Sequence, residues 1–300
     1  MKNEKELINS WQYGSIEKPL VSICCLTFNH SEFLEKCLKG FLGQQTKFSF
    51  EILIYDDFST DCNQEIISKY HLLYPNIIKP ILSSENQYSR GEKVNYKYNF
   101  LRASGTYIAL CEGDDYWHQP EKLELQISFM QSNPNVGLTW HRAILNNYQE
   151  KSWSISPMPF LCKYFYFFCF LRTGGGFIPT NSIIFKKKSL STGLGNWLTK
   201  SPVGDAPIKL WHIIHSDIYF LNENLSTSNR LVNGSWSLKH SKDNAFKIEH
   251  LKKIIEFNLF LLSLKECKKF MLLLWLSLNL TNLAVVFFQG LQIQKKVTKT

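Results

Sequence analysis

Leu20–Thr27 reads LVSICCLT, Glu51–Tyr55 reads EILIY and Thr106–Cys111 reads TYIALC. Each is a short, continuous apolar run with β-branched residues, the pattern of a strand buried on both faces. After the first, His30–Leu42 sets Phe33, Leu34, Cys37, Leu38 and Phe41 at helical spacing. After the second, Asp61–Leu73 does the same with Ile66, Ile67 and Tyr70, and Ser59 or Thr60 can cap it. Ile77–Leu82 reads as a third strand and Val94–Ala103 as a helix ended at Ser104-Gly105. Strands alternating with helices predict an α/β fold, a mostly parallel Rossmann-like sheet with right-handed crossovers. Beyond it, Pro120–Gln131 predicts a helix, Val136–His141 and Thr180–Phe185 strands, and Ile208–His215 a helix. Ile248–Leu264 and Lys268–Gln289 predict a C-terminal helical extension.

The chain has 300 residues, 44% hydrophobic and 20% charged, which supports a packed core and excludes wholesale disorder. Its 15 Gly and 10 Pro show no period, which excludes a collagen-like chain. Net charge is +9, and Lys242–Thr300 holds 10 Lys against 4 acids. Within that stretch Met271–Gln289 (MLLLWLSLNLTNLAVVFFQ) carries no charge. A tail both basic and apolar suits an anionic membrane surface better than nucleic acid. Three states stay open for it: a helix on the membrane surface, a helix packed on the protein or a partner, and a span. The 8 Cys form no CxxC pair, and the polar N-terminus lacks the apolar core of a signal peptide. The expected setting is therefore reducing and cytoplasmic, with the tail favouring a membrane surface.

Chemistry concentrates at strand ends. EILIY runs into Asp56-Asp57-Phe58-Ser59-Thr60-Asp61, TYIALC into Glu112-Gly113-Asp114-Asp115-Tyr116-Trp117, and Val203-Gly204-Asp205-Ala206-Pro207 follows later. In open parallel sheets ligands bind beyond the carboxyl ends of the strands. Acids converging there repel unless a cation neutralises them, and Mg²⁺ or Mn²⁺ is the natural cofactor, shared with substrate phosphates. Asp61 by itself reads as a turn or cap residue. His30 reads as a loop residue, and His141 as structural or lining an acceptor site.

VSICCLTFNH, YDDFSTD and ALCEGDDYW, in this order, resemble an inverting family-2 glycosyltransferase of the GT-A fold, of the bacterial surface-polysaccharide type. The likeness continues thinly through Phe177–Leu190, Gly204–Pro207 and Leu221–Ser237, and gives nothing beyond about residue 245. It implies a glycosyltransferase domain over 19–240, between a lead-in over 1–18 and a basic, apolar tail over 241–300 that the residues themselves suggest. It implies transfer from a nucleotide-sugar, UDP-linked, to a growing glycan or lipid-linked glycan. Thr27 would lie along the base, Asp57 would bind uracil, Asp114 would touch ribose or sugar, and Arg90 would help hold the diphosphate. Asp115 would bind the metal, and Asp205 would be the general base. Tyr116 and Trp117 could contact sugar, with core packing the other reading of Trp117. Membrane contact would run through 246–290, and a cut after about residue 245 should leave every site residue in a soluble, active chain.

Two departures stand out. Many relatives have a His shortly before the Gly-x-Trp-Ser segment, where this chain has Val232, and Arg230 or Asn233 would have to compensate. Ala206 replaces an aromatic that often follows the Gly-Asp pair. Val232 also keeps open a catalytically silent relative that binds a glycan or a partner. A sugar-nucleotidyltransferase fits poorly, because Thr27-Phe28-Asn29-His30 has none of the Gly, Lys or Arg that a triphosphate loop needs. Gly174-Gly175-Gly176 reads as a hinge or acceptor loop, and the aromatic Met158–Leu171 as buried in the domain or dipping into a membrane surface.

Overall fold

The computed structural model describes residues 2–156, 176–232 and 235–264, apart from the Trp236 side chain. Met158–Leu171, Gly174-Gly175, Asn233, Lys268–Gln289 and the uncharged run within the last lie outside them.

Three of the four parallel strands are the apolar runs. β1 (Val21–Thr27), β2 (Phe50–Asp56), β3 (Ile78–Leu82) and β4 (Tyr107–Leu110) pair in parallel in the order β3-β2-β1-β4. Order reverses between β1 and β4, so the binding crevice falls beyond Thr27 and Leu110. The sheet continues through β8 (Ile184–Lys186), β6 (Val136–Asn147), β9 (Asp217–Arg230) and β5 (Tyr116–Trp117). β8 is antiparallel to β4 and to β6, while β6 and β9 run parallel. β7 (Ser152–Ile155) pairs with β6 as an outer hairpin.

Each face of the sheet carries its own core. α2 (Ser31–Leu42) lays Leu34, Cys37, Leu38, Phe41 and Leu42 on one, joined by α3 (Asn63–Leu73) and α4 (Lys122–Ser132). The other is filled from a π-helical turn (Tyr96–Phe100), α5 (Leu194–Lys200) and α6 (Ala206–His215).

The structure differs from the sequence expectation in four places. The stretch 1–18 is more than a loose lead-in. Asn3 and Glu6 form a capping box for α1 (Glu4–Asn9), and Leu7 is buried. The Val94–Ala103 helix shrinks to the π-turn, and Thr180–Phe185 becomes a 3₁₀ turn followed by β8. The expected cap residue Ser59 turns back to Asp56, and α3 begins only at Asn63. After α7 (Trp236–Lys242), the last helix among the described residues, α8 (Asn244–Ser263), sinks Phe257 and Leu261 into the core cluster that α5 and α6 also fill.

That last contact moves the tolerated truncation point. Emptying a buried Phe or Leu site costs about 2–5 kcal/mol. A chain ending after residue 245 should therefore melt far below one ending after Leu264, or precipitate. Thermal melts of both truncations check this; equal melting of the two shows α8 to be dispensable.

Candidate active site

Glu112, Asp114 and Asp115 follow β4 at the switch point, with one oxygen of each within 4.8 Å of the others. Asp115 Oδ1 accepts the Asn229 N–H at 2.7 Å, and Asn229 Nδ2 donates to the Asp114 carbonyl at 2.5 Å. Asp114 Oδ1 is buried without a hydrogen-bond partner among the described residues, while its Oδ2 lies 3.8 Å from His30 Nε2. Gly113 lets β4 approach β1, since a Cβ there would stand 2.4 Å from Thr27 Oγ1.

All three carboxyls have a raised proton affinity, burial being the largest cause in each. Burial pushes Asp115 well up, reinforced by Asp114 and Glu112. Burial raises Asp114 too, with His30 opposing. Glu112 opens to the cleft, yet desolvation by the surrounding protein, with Asp114 and Asp205 behind it, pushes it up to about 8. A clustered, oxygen-only donor set with an orphaned buried oxygen fits a hard divalent cation.

Asp205 caps the start of α6 and is near enough to Glu112 to raise it. Its Oδ2 takes two donors, Thr180 Oγ1 at 2.7 Å and the buried Lys209 Nζ one turn along α6. Burial alone would raise its pKa. The Lys209 charge and the two hydrogen bonds outweigh burial and hold the carboxyl below its usual range.

The remaining site candidates separate. Thr27 is buried, its hydroxyl accepting from Asn63 Nδ2 at 2.7 Å. Asp57 accepts from the backbone N–H of Gln87 at 2.7 Å and of Tyr88 at 3.0 Å, so it anchors the loop carrying Arg90; burial raises its pKa. Arg90 itself is exposed and pairs with Glu85. Tyr116 is half-buried, with Lys36 Nζ 3.7 Å from its ring centroid.

Trp117 is core, which corrects its reading as a sugar contact. It packs edge-on against Phe41 at 4.8 Å, donates Nε1 to the Asn181 carbonyl at 2.8 Å and meets Lys122 Nζ at 4.0 Å. Burial pushes that lysine down to about 7. His141 is structural: it is buried, with Nδ1 2.7 Å from the Arg142 carbonyl, and desolvation holds it neutral. Asp61 is a cap residue, as its sequence setting suggests. It accepts from Asn63 N and also, across 30 residues, from Ser31 N at the head of α2.

Nothing in the sequence alone marks Asn229, Thr180 or His30 as belonging to the site. Lys209 alone left a local signal, a cation four residues after an acid. The others reach the site only through strand pairing and loop packing.

Strand order, switch point and clustered carboxylates define an α/β fold of the GT-A type with an acidic crevice. The chain belongs to glycosyl transferase family 2, whose pattern matches residues 22–192. An uncharacterized protein of Mycobacterium tuberculosis is 29% identical over 240 residues, which is 75% of this chain and 63% of that one. The chain thus spans under two thirds of that relative's length. A glucosyltransferase of Escherichia coli, WfaP, is 34% identical over 115 residues, 38% of this chain and 42% of its own; it is named for β-1,3 transfer from UDP-Glc to α-D-GlcNAc-diphosphoundecaprenol. Among solved structures, Staphylococcus aureus TarS 1–349 in complex with UDP-GlcNAc superposes with a TM-score of 0.63 at 14% identity, covering 87% of this chain and 71% of that one.

Proposed function

We propose that the chain transfers a sugar from a UDP-sugar to a glycan or lipid-linked glycan acceptor, with inversion at the anomeric carbon. The observation that carries the reading is the cluster of Glu112, Asp114 and Asp115 at the switch point, with Asp205 close enough for its charge to raise Glu112. The donors in the names of WfaP and the TarS complex support a uridine nucleotide.

Asp205 takes the proton of the acceptor hydroxyl as that oxygen bonds to the anomeric carbon, and the bond to the diphosphate oxygen breaks. Because Lys209 and Thr180 both end on Oδ2, Oδ1 is the oxygen left to accept the proton. Asp114 and Asp115, with Glu112, would hold a divalent metal, Mg²⁺ or Mn²⁺. The bound metal would neutralise charge on the leaving diphosphate. Thr27 and Asp57 flank the base, Asp114 also reaches ribose or sugar, and Tyr116 stands at the acceptor side. Arg90 reaches a diphosphate only by leaving Glu85. Arg230 is electrostatically coupled to Asp115 and stands in for the family's histidine, absent at Val232.

The setting is the cytoplasmic face of the bacterial envelope, in polysaccharide biosynthesis, with the basic tail on the membrane. Incubation with a panel of nucleotide-sugars, with Mg²⁺ or Mn²⁺ and with chelator, tests the function through metal-dependent release of the diphosphate. No release from any donor favours the second reading, a silent glycan- or partner-binding relative, whose motive is that buried Val232 offers no ligand atom.

Two results separate the roles. Asp57→Ala should raise KM for the donor ten- to hundred-fold with kcat nearly kept, because a hydrogen bond to a charged group is worth about 1.5–3 kcal/mol and this one is made equally before and during reaction. A fall in kcat at saturating donor with KM unchanged removes Asp57 from the base pocket. Lys209→Met should move the acidic limb of the pH–rate profile to higher pH. Lys209 lowers the Asp205 pKa, so its loss lets Asp205 protonate at higher pH. An unmoved limb detaches Lys209 from the base.

A further inference from the structure

At the opposite end of β4 from the carboxylates lies a cavity of about 600 Å³, walled by Phe100, Leu101 and Leu190 and rimmed by Lys186, Lys187 and Lys188. The position follows from register, since Lys186 pairs with Tyr107 at the start of β4. The catalytic reading uses none of these residues.

Three consecutive lysines here have no acidic partner within ion-pair distance among the described residues. Lys186 and Lys187 donate instead to main-chain carbonyls, of Pro134 and Ala103, and Lys188 is exposed. Carbonyls anchor the ammonium groups without cancelling their charge. Burial and the neighbouring Lys188 both push Lys186 down, a sign of local positive potential. Leu101, on the same rim, is 58% exposed. Exposed leucine beside uncompensated lysine is the make-up of a surface that meets an anionic bilayer. The volume suits a phosphodiester headgroup with the first carbons of its chains.

A second observation points the same way. Leu264, the last described residue, packs on the same core cluster as Phe100 and Leu190. The sequence after it carries Lys265, Lys268 and Lys269 and then the uncharged Met271–Gln289. The sequence that follows the last described residue is thus itself both basic and apolar.

We propose that this cavity is a docking site for the headgroup of an anionic membrane lipid, so that the folded domain, and not the tail alone, holds the protein to the bilayer. Docking there leaves the crevice at the far end of β4 open to substrates. The inference rests on the membrane-surface reading above but fails separately from it.

The test is flotation of the full chain with vesicles of phosphatidylcholine, and of phosphatidylcholine mixed with phosphatidylglycerol. Wild type should float with the mixed vesicles, less so at high salt. Combined Lys186→Gln, Lys187→Gln and Lys188→Gln should weaken that binding about a hundred-fold, each lysine near an anionic surface contributing comparably. Glutamine can still donate to the Ala103 and Pro134 carbonyls, and unchanged thermal melting checks the fold. Exchanging three exposed lysines elsewhere, Lys5→Gln, Lys47→Gln and Lys151→Gln, should cost much less. Leu101→Ser should weaken binding in a salt-insensitive way. Equal loss in the two triple variants, or none in either, overturns the docking site and leaves the tail as anchor. Failure of wild type to bind any vesicle overturns both readings. Donor hydrolysis should be the same in every variant.

Discussion

Asp115→Asn should abolish metal-dependent release of the diphosphate, by about a thousand-fold or more, in a protein that melts no lower than wild type. The first half follows from charge. An amide keeps the shape of the side chain but loses the anionic oxygens that a hard cation needs, and Lewis-acid stabilisation of a leaving diphosphate is worth several kcal/mol. The second half follows from the surroundings. Asp115 is buried beside two other carboxyls that raise its pKa, so its charge is held there at a cost to stability. Asn removes that repulsion and its carbonyl oxygen can still accept from Asn229 N. Turnover with Mn²⁺ and thermal melting, measured on one preparation, decide it. Full turnover removes Asp115 from the metal site. A collapse in melting temperature instead makes the Asn229 contact a structural need for the carboxylate itself.

The half of the fold that frames the crevice was legible because burial on both faces leaves a plain mark. β1, β2 and β4 admit few polar residues, and α2 repeats its apolar residues at helical spacing. Weakly patterned elements were not legible. α1 buries one residue, Leu7, and no periodicity shows through a single position. α8 was expected, but nothing in its pattern says which face packs: Phe257 and Leu261 are buried while Leu259, between them, is exposed. Strand ends gave the acids, because Asp and Glu directly after an apolar run are conspicuous. Their partners were out of reach. Asn229 stands 114 residues from Asp115 and meets it only because β9 is the neighbour of β5. Tyr116 and Trp117 show the limit at its narrowest. Adjacent strand residues point to opposite sides, and only the packing against Phe41 shows that Trp117 is the buried one.

Asp205→Asn should lower glycosyl transfer by about 10²–10⁴-fold, the usual worth of a general base, while affinity for UDP and metal stays within a few-fold. The separation is geometric. Asp205 enters from the head of α6, whereas the clustered carboxylates proposed to hold the metal follow β4. Thr180 and Lys209 hold Oδ2 in the wild type, and an amide oxygen can accept the same donors, so the side chain should keep its place. It then lacks only the basic lone pair. Lys209 loses its counter-charge in this variant and is buried, so some stability should go as well. Transfer must therefore be compared at a temperature below both melting transitions. Titration calorimetry with UDP and Mn²⁺ supplies the binding arm. If affinity falls along with rate, Asp205 belongs to the metal and diphosphate site, and the base must be sought elsewhere in the crevice. If affinity holds and transfer is lost, the Lys209→Met profile becomes interpretable, because a shifted acidic limb then reports the titration of this one carboxylate.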